Sequence, residues 1–525
     1  MRTFMNRFVI PLALAGLLLL VVLTSALGEA GAPDRADRPD RPDRPPTASA
    51  PAKPHVVLLI MDELPGDSLL GRRGRVDTVR YPNFAALAAD STWFRNGHSI
   101  YDSTTKAVPL ILDGMWPRPG TSPDRRGHPR SVFDMFARRG YRIVASEEAS
   151  ALCPPRMCRG GRTHKPAILP LLNHGRPKRF NRWVRSIEDG RPTFWMKHLL
   201  MPHGPYLHLP SGARTRPDSR DLLPGMNTVP GFHDEFLTRH NEQRYLLQLG
   251  YSDRLLGRLL RRLKRQGIYD DTLIVVVADH GYLWRSGVET RRRSLSDTAH
   301  ELAPVPYFVK RPGQRRRRVS GAFARTLDVA STLADVLGFR LGYRDDGRSA
   351  FSRAARRVRR VMFPTRDFDA VVTVPGRRWK AERRRVVRRR LRQFGTGDLT
   401  ALFTGIGPNR GLIGREAGSL AGAAGDDVRA AIVQDALFAN VRRRSGVVPT
   451  QIAGHLEGGA SNGARDLAVA VNGRIAAVGR SFRLAGDPTE HFAFMVPEEA
   501  LREGRNAVEV YEVVPGDRLR LLVRR

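Results

Sequence analysis

The chain has 525 residues, 41% hydrophobic and 27% charged, a composition that supports one large folded domain with a smaller companion and excludes a disordered chain. Only two cysteines occur, Cys153 and Cys158, which excludes cysteine-rich zinc, iron–sulfur and disulfide scaffolds. Eighty-eight Lys and Arg against 52 Asp and Glu give a formal charge of +36, favouring anionic partners such as nucleic acid, anionic lipid or a phosphorylated polymer.

Phe8 to Leu27 is a run of twenty residues without a charge, preceded by Arg2 and Arg7. This predicts a signal peptide or signal-anchor helix over residues 1–28. Ala26-Leu27-Gly28 offers a small-x-small cleavage site, but the run exceeds the length of a usual cleaved segment, which favours the anchor. Residues 29–54, with Asp-Arg-Pro repeats, read as a stiff linker. The body is therefore expected outside the cytoplasm, either held at the membrane by one N-terminal helix or secreted, and nucleic acid drops out as a partner.

His55–Met61 and Leu273–Ala278 are short, continuous, β-branched apolar runs, the pattern of strands buried on both faces of a parallel sheet. The first ends in Asp62-Glu63 and the second in Asp279-His280-Gly281. Both thus deliver acidic or imidazole groups at strand C-termini, where open α/β sheets bind ligands. Helical segments are expected at Phe84–Ala89, Val108–Leu112, Val132–Arg139 and Tyr245–Lys264. The last carries Leu246, Leu249, Leu256, Leu259, Leu260 and Leu263 on one core-facing stripe. The pattern implies a three-layer α/β/α sandwich over residues 55–345.

Past residue 345 the texture changes. Arg353 to Arg392 holds sixteen Lys and Arg against Asp367, Asp369 and Glu382, which reads as a solvated face or as a surface for anionic lipid or polymer. Residues 346–446 form a basic, then Gly/Ala-rich, extension. Residues 447–525 alternate in short apolar runs around an Asn472-Gly473 turn and read as a small β-sandwich.

Several motifs occur in an order that resembles the sulfatase-like branch of the alkaline phosphatase superfamily. They are Asp62-Glu63, the segment Thr104 to Gly114, Pro202-His203-Gly204-Pro205, Tyr269-Asp270-Asp271-Thr272 leading to Asp279-His280-Gly281, His300-Glu301 with Val305-Pro306, and Leu327 to Gly338. The resemblance implies an alkaline-phosphatase-like fold with a mostly parallel sheet. It also implies a divalent metal (Mn, Zn or Ca) held by Asp62, Asp279 and His280, and hydrolysis or transfer of phosphate or sulfate esters. Family members place the nucleophile ten residues before such a glycine, which makes Thr104 the nucleophile and a metal ligand. Ser103 and Thr105 are its neighbours in a cluster that could equally be a helix cap. Glu63 is either a further ligand or a group behind the ligands. His203 and His300 are placed against the substrate's oxygens or the leaving group. Cys153-Pro154-Pro155-Arg156 imitates the formylglycine motif Cys-x-Pro-x-Arg, but its arginine is one position early and it lies well downstream of Thr104. Cys153 and Cys158 instead read as a small disulfide loop. The substrate expected is a phosphate or sulfate ester on an envelope glycopolymer or phospholipid head group. The competing reading is a catalytically silent sulfatase-like protein that binds an anionic envelope polymer.

Overall fold

The computed structural model describes residues 53–218, 234–288, 290–292, 295–422, 425–459, 463–484 and 486–524. The apolar run Phe8–Leu27 and nearly all of the linker lie outside the described residues. Among the described residues no helix is long and apolar enough to cross a membrane.

The seven strands of the central sheet are β1 (Val56–Asp62), β2 (Thr92–Phe94), β3 (Arg142–Ser146), β4 (Thr193–Pro202), β5 (Leu273–Ala278), β6 (Tyr307–Lys310) and β7 (Arg318–Ser320). They lie in the order β3-β4-β1-β5-β6-β2-β7. Neighbours run parallel except where β6 meets β5 and β2. β1 and β5 lie side by side at the centre, Val56 opposite Leu273 through Met61 opposite Ala278. Because strand side chains alternate, each contributes to two cores. Val57, Leu59 and Met61 join one cluster with the helix Glu235–Arg265, while Val56, Leu58 and Ile60 join another with the helices Thr104–Asp113 and Val329–Leu337. The protein is thus a three-layer α/β/α sandwich on a mostly parallel sheet. All six leucines of the expected stripe are buried in the first cluster.

Towards the C-terminus an eight-stranded, largely antiparallel sheet has its own core around Leu467, Val469, Phe492 and Phe494. One of its strands, Gly425–Ile432, precedes residue 447 and pairs with Gln451–Glu457. The sheet leans on the sandwich where Gly479 approaches the ring of Phe236; a Cβ there would come within 2.5 Å of that ring. Between the two sheets, Arg360–Pro364 and Val371–Pro375 form a two-stranded hairpin, followed by the helix Gly376–Phe394. Cys153 and Cys158 are joined as a disulfide.

Candidate active site

The adjacent C-terminal ends of β1 and β5 bring together side chains more than 200 positions apart in sequence. Asp62, Asp279 and His280 are buried, and one donor atom from each falls within 4.8 Å of the others. Asp279 Oδ1 accepts from the backbone N–H of Glu63 (3.1 Å) and of His280 (2.7 Å), while its Oδ2 is buried with no hydrogen-bond partner. His280 Nδ1 lies 2.9 Å from the Gly281 carbonyl, a contact that calls for a proton on Nδ1 and leaves the Nε2 lone pair facing the site. Gly281 is required here because the backbone of Glu301 and Leu302 passes so close that a Cβ would meet Leu302 O at 2.6 Å. Burial, then the charges of Asp279 and Glu63, push the Asp62 carboxyl well above the usual carboxylate range.

Thr104 completes the cluster. It is the first residue of the helix Thr104–Asp113, which ends at Gly114 in the left-handed conformation (φ 72°). Its Oγ1 lies 3.2 Å from His280 Nε2 and 3.4 Å from Asp62 Oδ1. Ser103 occupies the cap position, but its side chain makes no capping hydrogen bond. Thr104 is buried, whereas Ser103 and Thr105 are only half-buried. The helix N-terminus adds a partial positive charge on the same side.

Glu63 turns away from these donors, with a left-handed backbone (φ 56°). Its Oε1 faces Arg291 Nε at 3.2 Å, Arg292 Nε at 3.5 Å and His203 Nε2 at 3.5 Å. Burial pushes this carboxyl up, but Arg291, His203, Arg292 and His280 together outweigh it and hold the group well below the usual carboxylate range. The turn carrying His203 is pinned by Arg176, which donates to the carbonyls of Leu200, His203 and Pro205, and by Gln248. Burial lowers His203 to about 4, so it is neutral at pH 7. His300 contacts Arg285 (3.2 Å) and Glu301 (3.8 Å). Sequence reasoning passed over Arg291 and Arg292. The buried ring of His198 also lies 3.9 Å from Asp62 Oδ2, with no hydrogen-bond partner on either nitrogen.

Residues 177–339 match the Sulfatase family model; Asp279, His280, His203 and His300 fall inside that stretch, while Asp62 and Thr104 precede it. The ulvan-active sulfatase of Formosa agariphila is 22% identical over 325 residues, 56% of this chain and 62% of that protein. The choline-sulfatase of Rhizobium meliloti is 22% identical, over 55% of this chain and 68% of its own length. The multifunctional alkaline phosphatase superfamily protein PehA of Trinickia caryophylli is 23% identical, over 46% and 52%. The chain therefore spans between about half and two thirds of the length of these relatives. The chain is thus sulfatase-like, similar to sulfatases and to a multifunctional alkaline phosphatase superfamily protein.

Proposed function

We propose that the protein is an extracytoplasmic, metal-dependent hydrolase or transferase of phosphate or sulfate esters with Thr104 as nucleophile. The observation that carries this reading is the placement of the Thr104 hydroxyl, buried at a helix N-terminus within 3.4 Å of both Asp62 and His280. The site fits a divalent ion. Two carboxylates crowd together in a buried place, Asp279 Oδ2 makes no hydrogen bond, and His280 offers a lone pair, with no thiolate in the set. Asp62, Asp279, His280 and Thr104 would hold the ion, and oxygen and imidazole donors suit Mn²⁺, Zn²⁺ or Ca²⁺. When bound, such an ion lowers the hydroxyl's pKa and polarises the ester.

The chain's own groups supply the rest. The Thr104 hydroxyl gives up its proton as its oxygen forms a bond to phosphorus or sulfur and the bond to the leaving oxygen breaks, the leaving group departing as the protonated alcohol; water or an acceptor hydroxyl then displaces Thr104, which takes a proton back. Neutral His203 is suited to accept the proton of that second nucleophile, and Arg291 and Arg292 present cationic donors beside it. His300 is assigned to the leaving-group side. Phosphate esters are favoured over sulfate esters, because a threonine adduct lacks the elimination route that an aldehyde hydrate gives a sulfated intermediate. The location outside the cytoplasm is supported by the Phe8–Leu27 run and by the Cys153–Cys158 disulfide.

The test is intact-mass and peptide mapping after acid quenching with a phospho-ester and a sulfo-ester. An adduct on Thr104, absent from Thr104→Ala, is expected. An adduct on Ser103 or Thr105, or full turnover by Thr104→Ala, would overturn the assignment.

A further inference from the structure

The hairpin Arg360–Pro364/Val371–Pro375 joins two places the sequence keeps apart. One face packs inward, with Val361, Phe363 and Val374 buried in the core beside Trp379. Alternation turns the other face outward. There Arg360 and Met362, with Thr373 and Pro375, line an open cleft of about 900 Å³ that also takes in Trp116, Arg325, Arg348, Arg357 and Arg359. Among the described residues no acidic side chain lines this cleft. Arg325 is engaged by Asp328 at 2.6 Å, and four further guanidinium groups face the same space. Like charges gathered this way repel unless an anion joins them. Val371, 51% exposed, continues the outward face towards the tip.

The tip reaches the active site. The Arg366 carbonyl accepts the Tyr101 hydroxyl at 2.7 Å, and the Phe368 ring stacks on Tyr101 at 5.2 Å. Arg366 Nη1 donates to the Arg292 carbonyl at 3.3 Å. Tyr101 precedes Thr104 by three residues, and Arg292 faces Glu63. Phe368 holds a left-handed backbone (φ 62°), a conformation costly for a bulky residue and kept where surrounding contacts over-determine it. Five strand residues at ~3.4 Å each make the hairpin ~17 Å long, and the cleft runs from its base to its middle.

We infer that the outer face of this hairpin is a track for a polyanionic glycan, a sulfated or phosphorylated polysaccharide. One anionic unit sits at Thr104 while units further along the chain meet the guanidinium groups and Trp116 at the hairpin base. This deepens the ester-cleaving reading above and rests on it for the active-site end. Guanidinium groups pair in bidentate fashion with sulfate or phosphate oxygens, and an indole face covers the apolar side of a sugar ring.

The experiment measures inhibition of p-nitrophenyl phosphate turnover by size-fractionated dextran sulfate. In the wild-type protein, fractions longer than ~17 Å should inhibit at markedly lower concentration than shorter ones. Arg357→Gln/Arg360→Gln should raise the half-inhibitory concentration of long fractions by about tenfold and leave kcat and KM for the small ester unchanged. Trp116→Ala, which keeps the charge, should weaken the same fractions. The control pair Arg442→Gln/Arg444→Gln, exposed on the C-terminal side, should change nothing. An equal effect of the control pair, or no dependence on length, would overturn the track. Binding of fluorescein-labelled dextran sulfate to the Thr104→Ala chain reads the track without turnover: an active site that fails the adduct test leaves this measurement intact, and identical affinity with and without Arg357 and Arg360 would refute the track alone.

Discussion

The two oxygens of Asp279 are used differently. Oδ1 takes two backbone N–H donors and fixes the carboxylate's orientation, while Oδ2 is left buried and without a hydrogen bond. An ionised oxygen in that position costs several kcal/mol unless a cation faces it. Asp279→Ala/His280→Ala removes two of the three clustered donors. It should lower divalent-metal affinity by more than about a hundredfold, since loss of outer partners alone costs 10–100-fold. Elemental analysis of the dialysed protein checks this, and unchanged metal content would show the ion, if any, to be elsewhere. These donors were legible in sequence because each follows a run so apolar that only a buried strand explains it, which fixes where the polar residues after it must emerge. Arg291 and Arg292 were not legible. In a chain with 88 basic residues an arginine pair carries no signal, and only the fold shows that this pair neutralises Glu63.

At the scale of elements, the basic stretch has two kinds of arginine. Along the helix Gly376–Phe394, Arg377, Arg378, Arg384 and Arg385 are exposed, while Arg383 and Arg390 are buried. Arg383 pairs with both oxygens of Asp67 (2.6 and 2.9 Å) and lies over the Trp379 ring. Arg390 donates to the carbonyls of Asp67 and Leu70, and Trp379 Nε1 donates to Ala299 O. The helix is thus bolted to the segment that follows Glu63 and to the one that carries His300. Arg383→Ala leaves a buried Asp67 without its partner and should destabilise the fold by about 3–5 kcal/mol, whereas Arg384→Ala should change little. Urea unfolding of the two variants separates them, and equal midpoints would mean that the Asp67 pair contributes nothing. The helix could be read from its composition as a solvated face, but its buried residues could not, because arginine occupies positions on both sides. The hairpin before it was hidden for the same reason: Arg360-Val361-Met362-Phe363 alternates like a strand only once Arg360 is allowed to be on the outer face.

For the molecule as a whole, the buried histidines set the response to acid. Burial lowers His98 and His240 to about 3, against 6.5 in an exposed chain; neighbouring Arg325 acts in the same direction on His98 and Arg244 on His240. Between those two values the unfolded chain binds a proton that the fold does not, so stability rises with pH there. The contribution is complete above pH 6.5 and is lost as pH falls towards 3, by up to about 1.4 kcal/mol per pH unit for each group. Glu148 adds to this at lower pH. Burial raises it, but Lys197 and Arg179 outweigh burial and hold it at about 2, so its stabilisation is present above its ordinary value near 4.5 and lost below. Melting temperature should therefore be flat from pH 7 to 8 and fall steadily from about pH 6.5 to 4. His240→Phe keeps a ring of similar volume in the cluster with Phe236 and removes the titrating group. It should flatten the free-energy slope between pH 6 and 4 by about 1.4 kcal/mol per unit, measured by denaturant unfolding at each pH. A slope identical to that of the wild type would show that His240 is protonated in the fold, and that its burial does not keep water and protons away.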